Sequence, residues 1–131
     1  MAYDLFRQQT VLFGGDASNI YGDTWGWDGT TWTNLAPPSS PSARWAHGMA
    51  YDGATRQVVA FGGTGAGGDL GDTWTWDGST WTQQTPVSSP GARVYPGMAY
   101  DGARHHTVVL FGGSDPLLLD DTWNWDGTTW R

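Results

Sequence analysis

Cysteine, glutamate and lysine are all missing from this sequence of 131 residues. The absence of cysteine excludes disulfides, thiolate metal sites and cysteine nucleophiles. Glutamate and lysine are strong helix formers, whereas the abundant Asp, Gly and Thr favour turns and strands. The composition therefore predicts a chain with little helix.

The sequence also has few positive charges and no long apolar segment. Its net charge of −7 disfavours nucleic-acid backbones and anionic membranes as partners. Apolar runs such as "VVLF" at 108–111 are far shorter than a membrane span. The first ten residues contain no basic segment followed by an apolar stretch, so no signal peptide is visible. We expect a soluble protein, and the sequence does not assign its compartment.

A tryptophan-rich decamer occurs three times, and other short motifs recur with it. The decamers are "DTWGWDGTTW" at 23–32, "DTWTWDGSTW" at 72–81 and "DTWNWDGTTW" at 121–130. The motif "MAYD" occurs at 1–4, 49–52 and 98–101, and "FGG" occurs at 13–15, 61–63 and 111–113. The spacings lie between 48 and 50 residues, and the order is constant. An internal repeat of this length is typical of propellers and solenoids.

Each repeat predicts four short antiparallel strands. In the second repeat we expect strand A at 44–52, strand B at 57–63, strand C at 72–77 and strand D at 79–84. Strand A of the third repeat is expected at 93–101. The Asp-Gly pair between strands C and D is a strong hairpin signal. Strand B is apolar without alternation, which favours a strand buried on both faces.

These motifs resemble the kelch repeat of β-propeller proteins. The resemblance rests on the diglycine after strand B, the tryptophans of strands C and D, and an Arg before strand A. The repeat signature comprises Gly14, Gly15, Trp25, Trp27, Trp32, Gly62, Gly63, Trp74, Trp76, Trp81, Gly112, Gly113, Trp123, Trp125 and Trp130. The resemblance implies an all-β propeller of four-stranded blades with a non-enzymatic binding or scaffold role. A copper oxidase branch of kelch-like propellers uses a Tyr–Cys cofactor, and that activity cannot be carried over to a chain without cysteine.

The chain is expected to form a single unit of three blades. The predicted blades are 1–32, 44–81 and 93–130, joined by Pro- and Ser-rich connectors at 33–43 and 82–92. Propellers usually close with about four to eight blades. Two copies would supply six, so we expect a homodimeric six-bladed ring. A natural half-propeller, a fragment and an engineered chain all fit these boundaries.

Candidate binding residues are those that do not repeat. The A–B and C–D turns should share one face of the ring, and the variable B–C loops and D–A connectors should share the other. On this second face, and in the channel, the candidates are Asn19, Tyr21, Arg44, Trp45, His47, Arg93, Tyr95, Leu117, Leu118 and Leu119. The three leucines either pack under their own loop or meet a partner. A protein or a glycan is the expected ligand class.

Other chemistry has weaker support in the sequence. The repeated tryptophans could stack on sugars, but their recurrence favours packing between blades. A glycoside hydrolase using paired Asp residues is a second alternative, although every repeated Asp also fits a turn. His105 and His106 are adjacent on a predicted strand and therefore point to opposite faces, so a shared metal is not expected. We expect no enzyme activity, no metal and no cofactor.

Overall fold

The computed structural model describes residues 1–103 and 107–131. This part of the chain is all-β and forms antiparallel sheets without a helix. The strands are β1 (Ala2–Asp4), β2 (Gln9–Asp16), β3 (Ile20–Trp27), β4 (Trp32–Asn34), β5 (Gly48–Asp52), β6 (Gln57–Phe61), β7 (Thr64–Gly65), β8 (Gly68–Asp69), β9 (Thr73–Trp76), β10 (Trp81–Gln84), β11 (Gly97–Asp101), β12 (Thr107–Phe111) and β13 (Thr122–Trp125).

The strands assemble into three main sheets and one small hairpin, each built from consecutive sequence. Sheet 1 has the order β1-β2-β3-β4, sheet 2 has β5-β6-β9-β10, and sheet 3 has β11-β12-β13. The hairpin β7-β8 lies within the loop between β6 and β9. Because neighbouring strands run antiparallel, the turns β5–β6 and β9–β10 lie at the same end of the strands of sheet 2, and we call each such end of the strands an edge of the sheet. The loop β6–β9 and the connectors between sheets lie at the opposite edge, as expected from the sequence.

Several details of the predicted strands were wrong. In sheet 2, strand B ends at Phe61 and not at Gly63, and strand D begins at Trp81 and not at Ser79. The strands β5 and β11 begin at Gly48 and Gly97, not at the preceding arginines. Ala46 and Tyr95 have φ values of 57° and 56°, and a residue in this left-handed region cannot continue a strand. Sheet 3 has no fourth strand within the described residues. Its last segment forms only the isolated bridge between Trp125 and Trp130.

The three sheets are stacked through two apolar clusters. The first joins sheets 1 and 2 and contains Ala2, Val11, Phe13, Met49, Val58, Ala60, Trp76 and Trp81. The second joins sheets 2 and 3 and contains Ala50, Val59, Phe61, Val108, Leu110, Trp125 and Trp130. Alternate residues of β6 enter opposite clusters, because successive side chains of a strand point to opposite faces. This double burial explains why β6 is a continuous apolar run.

The Asp-Gly turns after β3, β9 and β13 share one construction. Asp77 Oδ1 accepts hydrogen bonds from the N–H groups of Ser79 and Thr80, at 2.8 and 2.9 Å. Gly78 has a φ of 101°, a conformation that side chains disfavour. Asp28 and Asp126 accept the equivalent bonds in the other two turns. These carboxylates are therefore fully explained as turn residues.

No helix in the described ranges is long and apolar enough to cross a membrane.

Candidate functional site

Sheets 1 and 2 are joined by a contact centred on Trp81. The indole Nε1 of Trp81 donates a hydrogen bond of 3.0 Å to Oγ1 of Thr24, across the interface. The Trp81 ring also packs against the ring of Phe13, with 5.4 Å between centroids. All three side chains are buried. The contact buries the apolar ring of Trp81 and also gives its indole N–H a hydrogen-bond acceptor, as buried tryptophan usually requires.

Sheets 2 and 3 repeat this contact with equivalent residues. Trp130 Nε1 donates to Oγ1 of Thr73 at 2.9 Å, and its ring lies 5.4 Å from that of Phe61. These two side chains of sheet 2 are buried, as are their equivalents in sheet 1. The same three residue types thus pack each sheet on the next, and we call this arrangement the Trp–Thr–Phe contact.

Sheet 1 presents the tryptophan half of this contact on its outer side. We call this the Trp32 face, and its members are Met1, Thr10, Leu12, Trp27 and Trp32. Trp32 is 40% exposed, whereas the equivalent Trp81 and Trp130 are 1% and 0% exposed. The rings of Trp27 and Trp32 already lie 5.4 Å apart, as Trp76 and Trp81 do at 5.5 Å. The exposed aromatic pair of sheet 1 therefore has nearly the same arrangement as its buried equivalent in sheet 2.

Sheet 3 presents the other half on the opposite side of the stack. We call this the Phe111 face, and its members are Ala99, Val109, Phe111 and Thr122. Phe111 is 55% exposed, whereas the equivalent Phe13 and Phe61 are 1% and 0% exposed. Thr122 is exposed too, unlike its buried counterparts in sheets 1 and 2. Neither Phe111 nor Thr122 was among the residues singled out from the sequence.

Arg44 and Arg93, which the sequence suggested as channel residues, lie inside the protein. The guanidinium of Arg44 donates to both carboxylate oxygens of Asp72, at 2.5 and 2.9 Å, and to the carbonyl of Gly62 at 3.1 Å. Arg93 makes the equivalent bonds to Asp121 and Gly112. The hydrogen bonds from Arg93 lower the pKa of Asp121 to about 2. Both arginines therefore hold the fold together and present no guanidinium to a ligand.

The aromatic residues that follow these arginines lie together. The rings of Trp45 and Tyr95 meet edge to face, with 5.9 Å between centroids. Trp45 is half-buried and exchanges two backbone hydrogen bonds with Thr64, whereas the Tyr95 side chain is 65% exposed. The structure thus forms a small aromatic surface at the edge that carries the variable loops.

The other candidates lie in or beside the variable loops along this edge. Asn19, in the loop between β2 and β3, and Tyr21, near the start of β3, are both exposed. In the loop of sheet 3, Leu117 and Leu118 are 77% and 91% exposed, so they do not pack under their loop. Leu119 is partly buried. No role for the two exposed leucines follows from their surroundings.

His47 lies behind the aromatic surface, against the first apolar cluster. Its ring contacts that of Phe13 at 5.6 Å, and Nδ1 is buried without a hydrogen-bond partner among the residues that the structure describes. Burial lowers the pKa of His47 to about 4, with smaller contributions from the charges of the N-terminal amino group and Arg44. The side chain is therefore neutral near pH 7 and acts as a packing residue.

Acidification should destabilise the protein through His47. Between the ordinary pKa of 6.5 and the folded value of about 4, the unfolded state binds a proton that the folded state does not. The free energy of unfolding should therefore fall as the pH drops through this window, by on the order of 1–3 kcal/mol. Urea unfolding at pH values from about 7 to 5 measures this, since most carboxylates titrate lower. A His47→Gln variant should show a clearly shallower slope there; an unchanged slope would contradict the assignment.

No group of three His, Cys, Asp or Glu side chains that could hold a metal is found among the described residues. His105 and His106 lie outside them. Comparison of the chain with protein-family models and with curated protein sequences gives no match.

Proposed function

We propose that the chain is a kelch-type propeller module whose function is non-enzymatic binding or scaffolding, and that two copies close a six-bladed ring. The observation that carries this proposal is the complementarity of the Trp32 face and the Phe111 face. The members of each face are exposed or half-buried, whereas most of their equivalents between the sheets are buried. A second copy supplies the missing half of the Trp–Thr–Phe contact on both sides.

Ring closure would repeat the sheet packing already present. Docking the Trp32 face of one copy on the Phe111 face of another places Trp32 Nε1 at Thr122 Oγ1 and its ring against Phe111. Six sheets related by one repeated step fall within the usual range of propellers, whereas three sheets cannot close. A twofold axis makes both junctions identical and leaves no apolar sheet face open. A closed dimer is therefore favoured over an open chain of copies.

The carboxylates favour a non-enzymatic role. The Asp residues in the three C–D turns accept from backbone N–H groups, and Asp72 and Asp121 accept from the buried arginines. These five carboxylates all have structural hydrogen-bond partners, so they do not form a pair that could act as general acid and base at one site.

Phe111→Asp should prevent ring closure. A charge in the centre of the junction would have to be buried without a partner, so we expect the dimer dissociation constant to rise by at least about 30-fold. Light scattering over a dilution series measures this, with the wild type expected near twice 14.2 kDa. Phe6→Asp is the matched control, because Phe6 is equally exposed but lies in the β1–β2 turn, away from both faces. A wild type that stays monomeric at high concentration under every solution condition tested would overturn the proposal.

Mixing two variants, each with one face disabled, tests whether the Trp32 face pairs with the Phe111 face. Trp32→Asp disables the opposite face and should also give monomers. A dimer formed from one Phe111→Asp chain and one Trp32→Asp chain keeps one junction with two native faces. The mixture should therefore associate more tightly than either variant alone; equal weakness of all three samples would count against the paired faces.

Glycan binding is a second candidate function, supported by the aromatic surface of Trp45 and Tyr95. An exposed tyrosine beside a half-buried tryptophan offers an apolar face for a sugar ring, with polar groups nearby. Titration with a panel of sugars, followed by tryptophan fluorescence, tests it. Saturable quenching that disappears in Tyr95→Ala would support glycan binding, and an absence of quenching by every sugar would remove it.

A further inference from the structure

Arg44 and Arg93 each bridge two neighbouring sheets in the same way. The backbone of Arg44 lies against the adjoining ends of β2 and β3 in sheet 1, where its carbonyl accepts from Gly15 N–H at 2.9 Å and its N–H donates to the Tyr21 carbonyl at 3.1 Å. Its guanidinium reaches Asp72 and the Gly62 carbonyl in sheet 2. Arg93 connects sheets 2 and 3 with equivalent bonds. Each bridging arginine therefore needs hydrogen-bond partners for its backbone on one sheet and a carboxylate for its guanidinium on the next.

Sheet 1 has the carboxylate half of such a site without an arginine. Asp23 is equivalent to Asp72 and Asp121, but it forms no ion pair with any residue in the ranges 1–103 and 107–131. Its Oδ2 accepts a hydrogen bond of 2.5 Å from Trp25 Nε1, as the two paired carboxylates accept from Trp74 and Trp123. The carboxylate is therefore already held in the orientation that binds guanidinium in sheets 2 and 3.

Sheet 3 has the backbone half. The Gly113 N–H and the Leu119 carbonyl are equivalent to the Gly63 and Leu70 groups that bind the Arg93 backbone, and no hydrogen bond to either is found in the described part of the chain. Gly112 keeps the necessary space. Its φ of 63° matches the 71° of Gly62, where a Cβ would lie 2.6 Å from the Arg93 carbonyl.

We propose that each ring junction binds L-arginine, either free or as the first residue of a peptide. The α-carbonyl group would accept from Gly113 N–H of one copy, and the α-ammonium group would donate to its Leu119 carbonyl. The guanidinium would pair with Asp23 and the Gly14 carbonyl of the other copy. This inference rests on the proposed ring, because the two halves of the site lie at opposite ends of one chain.

Asp120 is the reason to expect a free arginine, or an arginine at the N-terminus of a peptide, in this site. The equivalent residues in sheets 1 and 2 are Gly22 and Gly71, against which the alanine preceding each bridging arginine packs. A Cβ on Gly22 would lie 3.1 Å from the Cα of Ala43, and one on Gly71 would lie 3.0 Å from the backbone nitrogen of Ala92. Asp120 has that Cβ, so it crowds a preceding residue. Its carboxylate offers a counter-charge for the α-ammonium group instead.

The experiment combines calorimetric titration of the wild-type protein with light scattering in the presence and absence of L-arginine. We expect one arginine bound per chain and a dimer dissociation constant lowered at least tenfold at saturation, since the ligand binds only the closed junction. L-Citrulline has the same shape without the charge and should not bind. Of two dipeptides, Arg-Ala should bind and Ala-Arg should not. Equal binding of citrulline, or of both dipeptides, would overturn the assignment.

Asp23→Asn provides the decisive variant. It removes the charge that pairs with guanidinium but keeps both open faces, so it should still dimerise and should lose at least tenfold in arginine affinity. Asp69→Asn is the matched control, because Asp69 is an exposed Asp of a loop at the same edge; its affinity should equal that of the wild type. Undiminished arginine binding by Asp23→Asn would contradict the proposal.

The outcomes separate this inference from the ring itself. Dimers that bind no arginine would remove the arginine site and leave the ring standing. Monomers that pair only when arginine is added would support both proposals. Monomers at every concentration, with and without arginine, would remove both.

Discussion

Replacing Trp81 with Ala should lower the free energy of unfolding by about 3–5 kcal/mol. The indole is buried between sheets 1 and 2, so its loss leaves a large cavity beside Phe13. The Thr24 hydroxyl also loses the donor that satisfies it inside the interface. Because a domain of this size has a total stability of about 5–15 kcal/mol, the variant should be close to unfolded under mild conditions.

Urea unfolding followed by circular dichroism measures this loss, and Trp32→Ala is its matched control. The two tryptophans are equivalent in the repeat, but no sheet of the described residues packs on Trp32, which is 40% exposed. Both changes are best made in the monomeric Phe111→Asp background, so that a partner cannot cover Trp32. There, Trp32→Ala should change stability by about 1 kcal/mol or less. Equal losses for the two variants would show that the stacking of the sheets does not determine tryptophan burial.

Replacing Arg44 with Met should also cost about 3–5 kcal/mol of unfolding free energy. Methionine keeps much of the apolar stem, so the change isolates the guanidinium. Without it, the Asp72 carboxylate loses two charge-assisted hydrogen bonds and the buried Gly62 carbonyl loses another. The interface of sheets 1 and 2 is weakened at the same time, although the Arg44 backbone bonds to sheet 1 remain.

Arg131→Met is the control for this substitution. Arg131 pairs with Asp126 at 3.2 Å, but its side chain is exposed, so the pair should contribute about 1 kcal/mol or less. The double variant Arg44→Met with Asp72→Asn should recover part of the loss, because it no longer leaves an unpaired carboxylate. A cost for Arg44→Met no larger than that for Arg131→Met would contradict a stabilising role of the Arg44 guanidinium.

Much of the local structure could be predicted because it depends on neighbouring residues. The Asp-Gly turn after β9 follows from the side-chain acceptor of Asp77 and the freedom of Gly78, and the apolar run of β6 predicted burial on both faces. The start of β5 was missed because Ala46 adopts a positive φ that nothing local favours. The role of Arg44 was missed for a related reason, since its partner Asp72 is brought to it only by folding.

The sequence by itself determined the repeat, the all-β character, the turns and the strand that each sheet buries, because these depend on period and on local chemistry. Only the tertiary structure decided which copy of a repeated residue is buried. Phe13, Phe61 and Phe111 occupy the same place in their repeats, yet only the third is exposed. Burial depends on whether another sheet lies against the residue, and no spacing within one repeat encodes that. Likewise, Trp81 is covered by a neighbouring sheet and Trp32 is not, and Asp72 has an arginine from a neighbouring sheet whereas Asp23 has none among the described residues. The proposed ring and its arginine site depend on these differences.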